Sequence, residues 1–316
     1  MTDSPMIGIA DPLPAPARLA VGVISAGRVG TALAQALEAV GHVVGAALAR
    51  SPESRARVTR QLPDTEIFDS PGAVAARAEL LILAVPDDVL PAVIGELADG
   101  GHARPGTIVA HVAGAHGTGI LAPLTAHGAL GLAIHPAMTF VGGPPDAERM
   151  RSACFAVTAD DEIGHAVGAS LVYEMGGHPV RIAEADRTLY HAALAHGANH
   201  LVALISDAAT VLRSVIERAD PEGTAAPLRS AQEVLAPLVT AALGNVLDLG
   251  PSALTGPVAR GDAAAVAAHL AALREWGATA PPADATIVDS YLVQARRAAA
   301  HAGPAPSLDR VLGEAS

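Results

Sequence analysis

Lysine is absent from this 316-residue chain, so all 20 of its basic side chains are arginines. No lysine can therefore serve here as a general acid, form a Schiff base or bind a phosphate. Cysteine occurs once, at Cys154, which excludes a disulfide within the chain and fits a reducing compartment. Aromatic residues make up only 2% of the chain against 51% hydrophobic residues, and this excess of small apolar side chains favours closely packed helices.

Basic charge and long apolar runs are also scarce. The formal net charge is −12 and no basic run occurs, which argues against a nucleic-acid partner. No stretch approaches ~20 uninterrupted apolar residues, so we expect no membrane partner. The acidic N-terminus lacks the charged start of a signal peptide. We therefore expect a cytoplasmic protein in which residues 1–17 form a flexible arm.

The order of apolar patterns indicates the fold class. From residue 18 to Glu184, short strands alternate with helices. The predicted strands are Leu19–Ile24, Val43–Leu48, Glu66–Phe68, Leu80–Val85, Ile108–His111, Leu130–His135, Phe155–Thr158 and Pro179–Ile182. Such alternation is typical of an α/β, doubly wound Rossmann-type sheet. Residues 185–316 show only helical periodicity, which predicts an all-helical C-terminal domain ending in a short irregular tail after Pro304.

Residues 19–30, LAVGVISAGRVG, predict a phosphate-binding turn. A strand, a glycine turn and a helix beginning near Arg28 would direct free backbone N–H groups and the positive end of the helix toward a pyrophosphate. Gly27 would allow close approach of the phosphate, and Gly30 would allow the helix to pack on the strand. The predicted contacts are Ser25, Ala26, Gly27, Arg28, Val29 and Gly30. The first position of G-x-G-x-x-G is Ser25, so the fit is imperfect.

The residues after the second strand indicate which dinucleotide is bound. An NAD enzyme usually has an acidic residue there for the ribose 2′-hydroxyl, whereas this chain has Arg50 and Ser51, with Arg55 nearby. Arginine binds a 2′-phosphate in bidentate geometry, which predicts NADP(H). The alternative is that these arginines only solvate the start of the next helix.

A third strand supports the same site. The run ELLILAV at 79–85 is typical of a strand buried on both faces. Ligands of open α/β sheets bind beyond the carboxyl ends of the strands, so we expect Val85, Pro86 and Asp87 to lie against the nicotinamide half of the cofactor. Asp87 or Asp88 would equally serve as a helix N-cap.

Six segments together resemble a known bacterial family. They are SAGRVGTALA at 25–34, LAVPDD at 83–88, HVAGAHG at 111–117, HPAMTF at 135–140, YHAALAHGAN at 190–199 and TGPVARGD at 255–262. The family joins an NADP-binding Rossmann-like domain, here residues 18–184, to a helical domain of unassigned function, here 185–316. It is related to the ketopantoate and pyrroline-5-carboxylate reductases.

The resemblance implies a small carbonyl or imine substrate and a homodimer formed through the helical domain. One departure matters, because ketopantoate reductases use a lysine as the proton donor and this chain has none. Any such activity must depend on another acid.

Histidines are the candidates for that acid, since reduction of a carbonyl needs a proton donor at the developing alkoxide. His191 and Asn199 lie eight residues apart on one predicted helix, about 80° apart around its axis. We expect His191 to donate the proton and Asn199 to hydrogen-bond the substrate, with Tyr190 as the alternative donor. Three histidines of the sheet region, His111, His116 and His135, are further candidates. Of these we expect His135, at a strand end, to lie in the site.

Two further groups of polar residues have spacings that suggest binding sites. His196 and His200 have the spacing of a metal-binding pair, but no third ligand is evident, so we predict no metal. Thr255 and Arg260 are predicted to bind substrate, with Arg260 holding a carboxylate; alternatively Arg260 and Asp262 only cap the following helix.

The sequence therefore predicts an NADPH-dependent oxidoreductase that transfers hydride to a small 2-oxo acid, with 2-dehydropantoate (ketopantoate) as the specific substrate. A reductase of a cyclic imine such as pyrroline-5-carboxylate is the closest alternative. A non-catalytic NADP(H) sensor that keeps the turn and lacks the chemistry is the third.

Overall fold

The structure, a computed structural model, describes residues 18–220, residue 222 and residues 227–314. The chain divides into two compact units, of which unit 1 ends at Leu194 and unit 2 begins at Ala195. The predicted flexible arm, residues 1–17, lies outside the described residues.

Unit 1 is built on one eight-stranded sheet of order β3-β2-β1-β4-β5-β6-β7-β8. The strands are β1 Ala20–Ile24, β2 Val43–Leu48, β3 Glu66–Phe68, β4 Leu80–Leu83, β5 Ile108–His111, β6 Leu130–Pro136, β7 Cys154–Thr158 and β8 His178–Arg181. All paired strands are parallel except β6 and β7. The carboxyl ends of β1, β2, β4, β5 and β6 therefore meet at one edge. This confirms the predicted Rossmann-type sheet.

Helices cover both faces of this sheet. They are α1 Arg28–Ala39, α2 Pro52–Gln61, α3 Pro71–Ala75, α4 Leu90–Asp99, α5 Ala122–Thr125, α6 Pro145–Met150 and α7 Glu162–Glu174. In β4, Leu80 and Ile82 pack into the core on one face, while Leu81 and Leu83 pack into the core on the other. All four are buried, which confirms the prediction for this strand and fixes its end beside the β1 turn.

The rest of the described chain is helical, as predicted. The helices are α8 Arg187–Ala219, α9 Pro227–Leu249, α10 Gly256–Ala259, α11 Ala263–Gly277, α12 Pro282–Ala285, α13 Ile287–Ala302 and α14 Pro306–Glu314. The prediction of an irregular tail was wrong, because residues 306–314 are a helix. Leu308 and Leu312, one turn apart, are buried in a core shared with α11 and α13.

The division between the units falls later in the chain than the predicted boundary near Glu184. Helix α8 begins at Arg187, and this residue is buried against the sheet. Its Nη2 donates to the Ala133 and Ala156 carbonyls at 2.7 and 3.1 Å, and its Nε donates to Thr158 Oγ1 at 2.8 Å. The first turns of α8 consequently belong to unit 1.

Candidate functional site

The connection between β1 and α1 is a three-residue turn. Ser25 in this turn has a φ of 71°, a left-handed conformation that costs a residue with a side chain roughly 1–2 kcal/mol and that glycine adopts freely. The next N–H, of Ala26, donates to the Leu48 carbonyl at 2.9 Å and ties the turn to β2. The conformation explains why the usual pattern has glycine at the position that Ser25 occupies here.

The two glycines of the turn are needed for different reasons. A Cβ on Gly30 would lie 2.4 Å from the Ser25 carbonyl oxygen and 3.0 Å from the Ala84 and Val23 side chains. A Cβ on Gly27 would meet only Ser25 Oγ, at 3.9 Å. Gly30 is therefore required by the packing of α1 on the sheet, whereas the space beside Gly27 is open to a ligand.

The N-terminus of α1 has no side-chain cap. Gly27 is its N-cap, and no acidic residue lies in its first turn. Side chains cap α2, α3, α7 and α11, whereas α4, α5, α6, α10, α12 and α13 have no side-chain cap, as is the case for α1. The first N–H groups of α1 have no partner within the helix, and the helix dipole adds partial positive charge there. An anionic group such as a phosphate fits these donors.

A cavity of about 460 Å³ lies against this turn at the carboxyl edge of the sheet. Ser25–Arg28 form one wall, Arg50 and Ser51 another, and Val85 and Pro86 a third. The structure thus brings together three segments that the sequence predicted to meet. Of the predicted cofactor residues, Val29, Gly30, Arg55 and Asp87 are not in the wall of this cavity.

The arginine of α2 that lines the cavity is Arg57, which the sequence interpretation did not select. Arg55 instead pairs with Asp69, its Nη2 lying 2.6 Å from Oδ1. Residues two apart on a helix differ by about 200° in direction, so both arginines cannot point to the same place. The sequence does not show which face of α2 meets the cavity, so it could not distinguish Arg57 from Arg55.

A carboxylate that was not selected from the sequence also lines the cavity. Glu53 follows Arg50 by three residues and borders the same space. Hydrogen bonds from its own backbone N–H and from Ser51 lower the pKa of Glu53, so this side chain is ionised at neutral pH. The two arginines and Glu53 leave a net positive charge in this part of the wall.

His111, at the end of β5, has a structural role. It is fully buried; its Nδ1 accepts from the Ala113 N–H at 3.2 Å, and its Nε2 donates to the Gly117 carbonyl at 2.8 Å. Burial lowers the pKa of His111 from 6.5 to about 4. The ring is therefore neutral in the folded protein and organises the loop after β5.

The buried ring predicts a loss of stability in mild acid. In the unfolded chain His111 has its ordinary pKa of 6.5, whereas in the folded protein its pKa is about 4. Between these two pH values the unfolded chain binds a proton at His111 and the folded protein does not. The free energy of unfolding should therefore fall by about 2 kcal/mol from this residue alone between pH 7.5 and pH 5. Urea unfolding at both pH values should show that His111→Gln reduces the pH dependence and that His127→Gln, at an exposed site, does not. Equal pH dependence in all three proteins would contradict this prediction.

A second polar cluster lies at the end of β6. His135 Nδ1 is 2.9 Å from the Tyr190 hydroxyl, and the His135 and His191 rings pack edge to face with centroids 5.9 Å apart. Gly114 lies against both histidines, because a Cβ there would be 2.7 Å from His191 Cδ2 and 3.1 Å from His135 Nε2. The two predicted histidines and Tyr190 therefore form one cluster at the same sheet edge as the cavity.

Arg187 accompanies this cluster and was missed by the sequence interpretation. Only 1% of its surface is exposed, and its Nη1 is buried without a hydrogen-bond partner among the described residues. Its guanidinium carbon is 6.0 Å from the centre of the Tyr190 ring. An arginine at a helix start gives no sequence signal of burial, since arginine is usually exposed.

The predicted site residues of unit 2 are at its surface. Asn199 is exposed on α8, and Thr255 and Arg260 flank the short helix α10. Asp262 caps α11 by accepting from the Ala265 N–H at 3.0 Å. His196 and His200 face each other with their Nδ1 atoms 2.8 Å apart, and no group of three potential metal ligands occurs among the described residues.

The fold and the β1–α1 turn define a Rossmann-like α/β protein with a helical C-terminal region. A family model described as a Rossmann-like domain matches residues 10–136, and a model described as a domain of unknown function, DUF2520, matches residues 153–298. The chain therefore combines a Rossmann-like domain with a DUF2520 domain in its helical C-terminal region.

Solved structures share this architecture. A Bacteroides fragilis protein, provisionally described as an NADP oxidoreductase, is 19% identical with a TM-score of 0.68, over 90% of this chain and 98% of its own. An imine reductase from Pseudomonas sp. is 18% identical with a TM-score of 0.59, over 95% and 99%. A pyrroline-5-carboxylate reductase from Coxiella burnetii is 15% identical with a TM-score of 0.52, over 95% and 98%. These likenesses show the fold, and no curated protein matches the chain.

Proposed function

We propose that this protein is an NADPH-dependent oxidoreductase that reduces a small carbonyl or imine compound. The observation that carries the proposal is the cavity whose wall contains the uncapped N-terminus of α1, Arg50 and Arg57. In this cavity the N–H groups of α1 are hydrogen-bond donors for a diphosphate, and Arg50 and Arg57 are two cations for a further phosphate. The structural relatives named as NADP oxidoreductase and imine reductase support the same reading.

The residues of the cavity fit the cofactor. The backbone of Ser25–Gly30 would hold the diphosphate, and Arg50, Ser51 and Arg57 would hold the 2′-phosphate, with Arg55 the alternative that the sequence favoured. Val85, Pro86 and Asp87 belong to the turn after β4, where we propose that the nicotinamide half lies. When bound, NADPH supplies the hydride for reduction.

The substrate we propose first is a 2-oxo acid, of which 2-dehydropantoate is the specific example. The polar cluster of His135, Tyr190 and His191 supplies hydrogen-bond donors of the kind that a developing alkoxide needs. The proposed proton donors are His191 and Tyr190, and Asn199, Thr255 and Arg260 are the proposed substrate contacts from the helical region.

A cyclic imine is the second candidate, because several structures of the same fold bear the names of pyrroline-carboxylate or imine reductases. The absence of lysine agrees with it, since a protonated imine depends less on a strong proton donor.

Calorimetry with NADPH, followed by NADPH oxidation with a panel of 2-oxo acids and cyclic imines, tests the proposed function. We expect NADPH binding and oxidation with at least one compound of the panel. Binding without turnover of any compound would favour the sensor, and failure to bind either NADPH or NADP⁺ would refute the proposal.

We also propose that the protein is a homodimer formed through α9. This helix has many exposed apolar side chains, including Val234, Leu238 and Leu247 at 56%, 66% and 77% exposure. The stretch Ser230–Ala259 is apolar and long enough to cross a membrane by length and composition alone. A single arginine borders it at each end, Arg229 and Arg260, and no basic cluster does. A second copy is therefore a better partner for this face than an anionic membrane surface. Sedimentation at the monomer mass would contradict the dimer.

A further inference from the structure

We propose that Tyr190 is the proton donor of an oxyanion site completed by His135 and Arg187, and that the substrate is therefore a carbonyl compound rather than a protonated imine. This inference rests on the proposed function. It selects between its two substrate classes and assigns a role to Arg187, a residue that no sequence pattern indicated.

The contacts of Tyr190 hold its hydroxyl in one place. The Tyr190 hydroxyl lies 2.9 Å from His135 Nδ1, and the two rings pack at 86° with centroids 5.7 Å apart. Arg187, one turn earlier on α8, is anchored to β6 and β7 through Ala133, Ala156 and Thr158. These bonds fix the first turn of α8 on the sheet, so Arg187 positions Tyr190 over the end of β6.

Burial has the largest effect on Tyr190 and keeps its pKa above the usual value, so the hydroxyl is protonated at neutral pH, and Arg187 is the neighbour that favours an anion at its oxygen. His135 is neutral, because burial lowers its pKa from 6.5 to about 4, so it contributes a hydrogen bond without charge. Burial raises the pKa of Tyr190, and the Arg187 charge opposes that rise, while Cys154 on β7 adds to it. Arg187 is thus the cation that stabilises a phenolate at Tyr190 or an alkoxide beside it.

Bound NADPH would supply the hydride to the carbonyl carbon, and the electron pair of the broken C=O π bond would move to the carbonyl oxygen. That oxygen takes the proton of Tyr190, while His135, with its hydrogen on Nδ1, donates to the phenolate oxygen that remains. Solvent then returns a proton to Tyr190, and the products are an alcohol and NADP⁺.

The same arrangement disfavours an iminium substrate. A cation placed at this oxyanion site would be repelled by Arg187, whose charge is shielded from water by burial. His191 borders the cluster, but none of the hydrogen bonds among the described residues involves its ring. Tyr190 is therefore better placed than His191 to give up a proton and to have the resulting charge stabilised.

Titration of the tyrosines tests the electrostatic part without any substrate. Tyrosine labelled with ¹³C at Cζ, with Tyr190→Phe used for assignment, reports ionisation of each ring. In Arg187→Met the Tyr190 resonance should titrate at higher pH than in the wild type, and in Arg187→Lys it should shift less. A Tyr190 titration unchanged in Arg187→Met would overturn the proposal. If that variant fails to fold, His135→Leu must move the same titration upward.

Kinetics test the catalytic part. With the best 2-oxo acid, Tyr190→Phe should lower kcat by about 100-fold or more, a typical size for loss of a general acid, and His191→Gln by less than about 10-fold. Tyr173→Phe, at an exposed site, is the matched control and should match the wild type. A larger loss in His191→Gln than in Tyr190→Phe would overturn the assignment of the donor.

The substrate class separates this inference from the proposed function. A kcat/KM for 2-oxo acids at least 10-fold above that for 1-pyrroline-5-carboxylate supports the oxyanion site. The reverse preference overturns it and leaves the NADPH-dependent reductase intact. Failure to bind NADPH refutes the proposed function itself, while the tyrosine titration still decides the role of Arg187.

Discussion

Gly27→Ala is expected to fold as the wild type does and to lose most of its affinity for NADPH, whereas Gly30→Ala is expected to lose stability. A methyl group on Gly30 would lie 2.4 Å from the Ser25 carbonyl oxygen, so α1 must shift away from β1 at a cost of roughly 3 kcal/mol. On Gly27 the nearest atom would be 3.9 Å away, and the change in the free energy of unfolding should stay within about 0.5 kcal/mol.

Gly27→Ala is expected to lose affinity for NADPH because the space beside Gly27 is the proposed binding site of the diphosphate. If a diphosphate occupies it, the added methyl group displaces the phosphate from the N–H groups of α1, and we expect roughly 100-fold weaker binding, nearly 3 kcal/mol. Urea unfolding and calorimetry on both variants measure the two effects separately. Wild-type NADPH affinity in Gly27→Ala would show that the cofactor does not lie against this turn.

Arg50→Ala and Arg57→Ala are each expected to weaken NADPH binding by about 10- to 100-fold while changing NADH binding by less than about 3-fold. A charged hydrogen bond to a phosphate contributes about 1.5–3 kcal/mol, and NADH has no 2′-phosphate to receive it. Both arginines line the cavity beside the β1–α1 turn. Glu53 opposes them, so Glu53→Gln should strengthen NADPH binding.

Two other arginines of α2 make the comparison specific. Arg60→Ala, on an exposed part of the same helix, controls for the loss of one positive charge and should leave NADPH binding almost unchanged. Arg55→Ala should have a smaller effect than Arg57→Ala, because Arg55 is held by Asp69. Calorimetry with NADPH and NADH measures all five variants. If Arg57→Ala weakened the binding of NADPH and NADH equally, the 2′-phosphate would not bind in this part of the cavity.

The sheet and its central turn were predictable because their signals are local. A strand buried on both faces, such as β4, must be apolar at consecutive positions, and a phosphate-binding turn needs its glycines within a few residues of each other. The bounds of β2, β3 and β5 agree with the prediction to the residue. The tail after Pro304 was misread, since two leucines one turn apart have no helical signal until α11 and α13 provide a core for them.

The candidate site was predicted only in part, because the sequence shows neither the direction of side chains on a helix nor contacts between residues that are far apart in the chain. Arg55 and Arg57 are equivalent in the sequence, and the orientation of α2 alone decides which of them lines the cavity. His135 and Tyr190 are 55 residues apart, so no local pattern records that their side chains meet. The burial of Arg187 depends in turn on acceptors from β6 and β7.

By itself, the sequence determined the order of the eight strands, the position of the β1–α1 turn and the exclusion of lysine chemistry, because each depends on neighbouring residues or on composition. Only the tertiary structure decided that Arg57 joins Arg50, that Glu53 opposes them, and that Arg187 lies buried beside Tyr190 and His135. Those relations arise where separate strands end at one edge of the sheet, and the free energy of burying a charge there depends on partners that are distant in the chain.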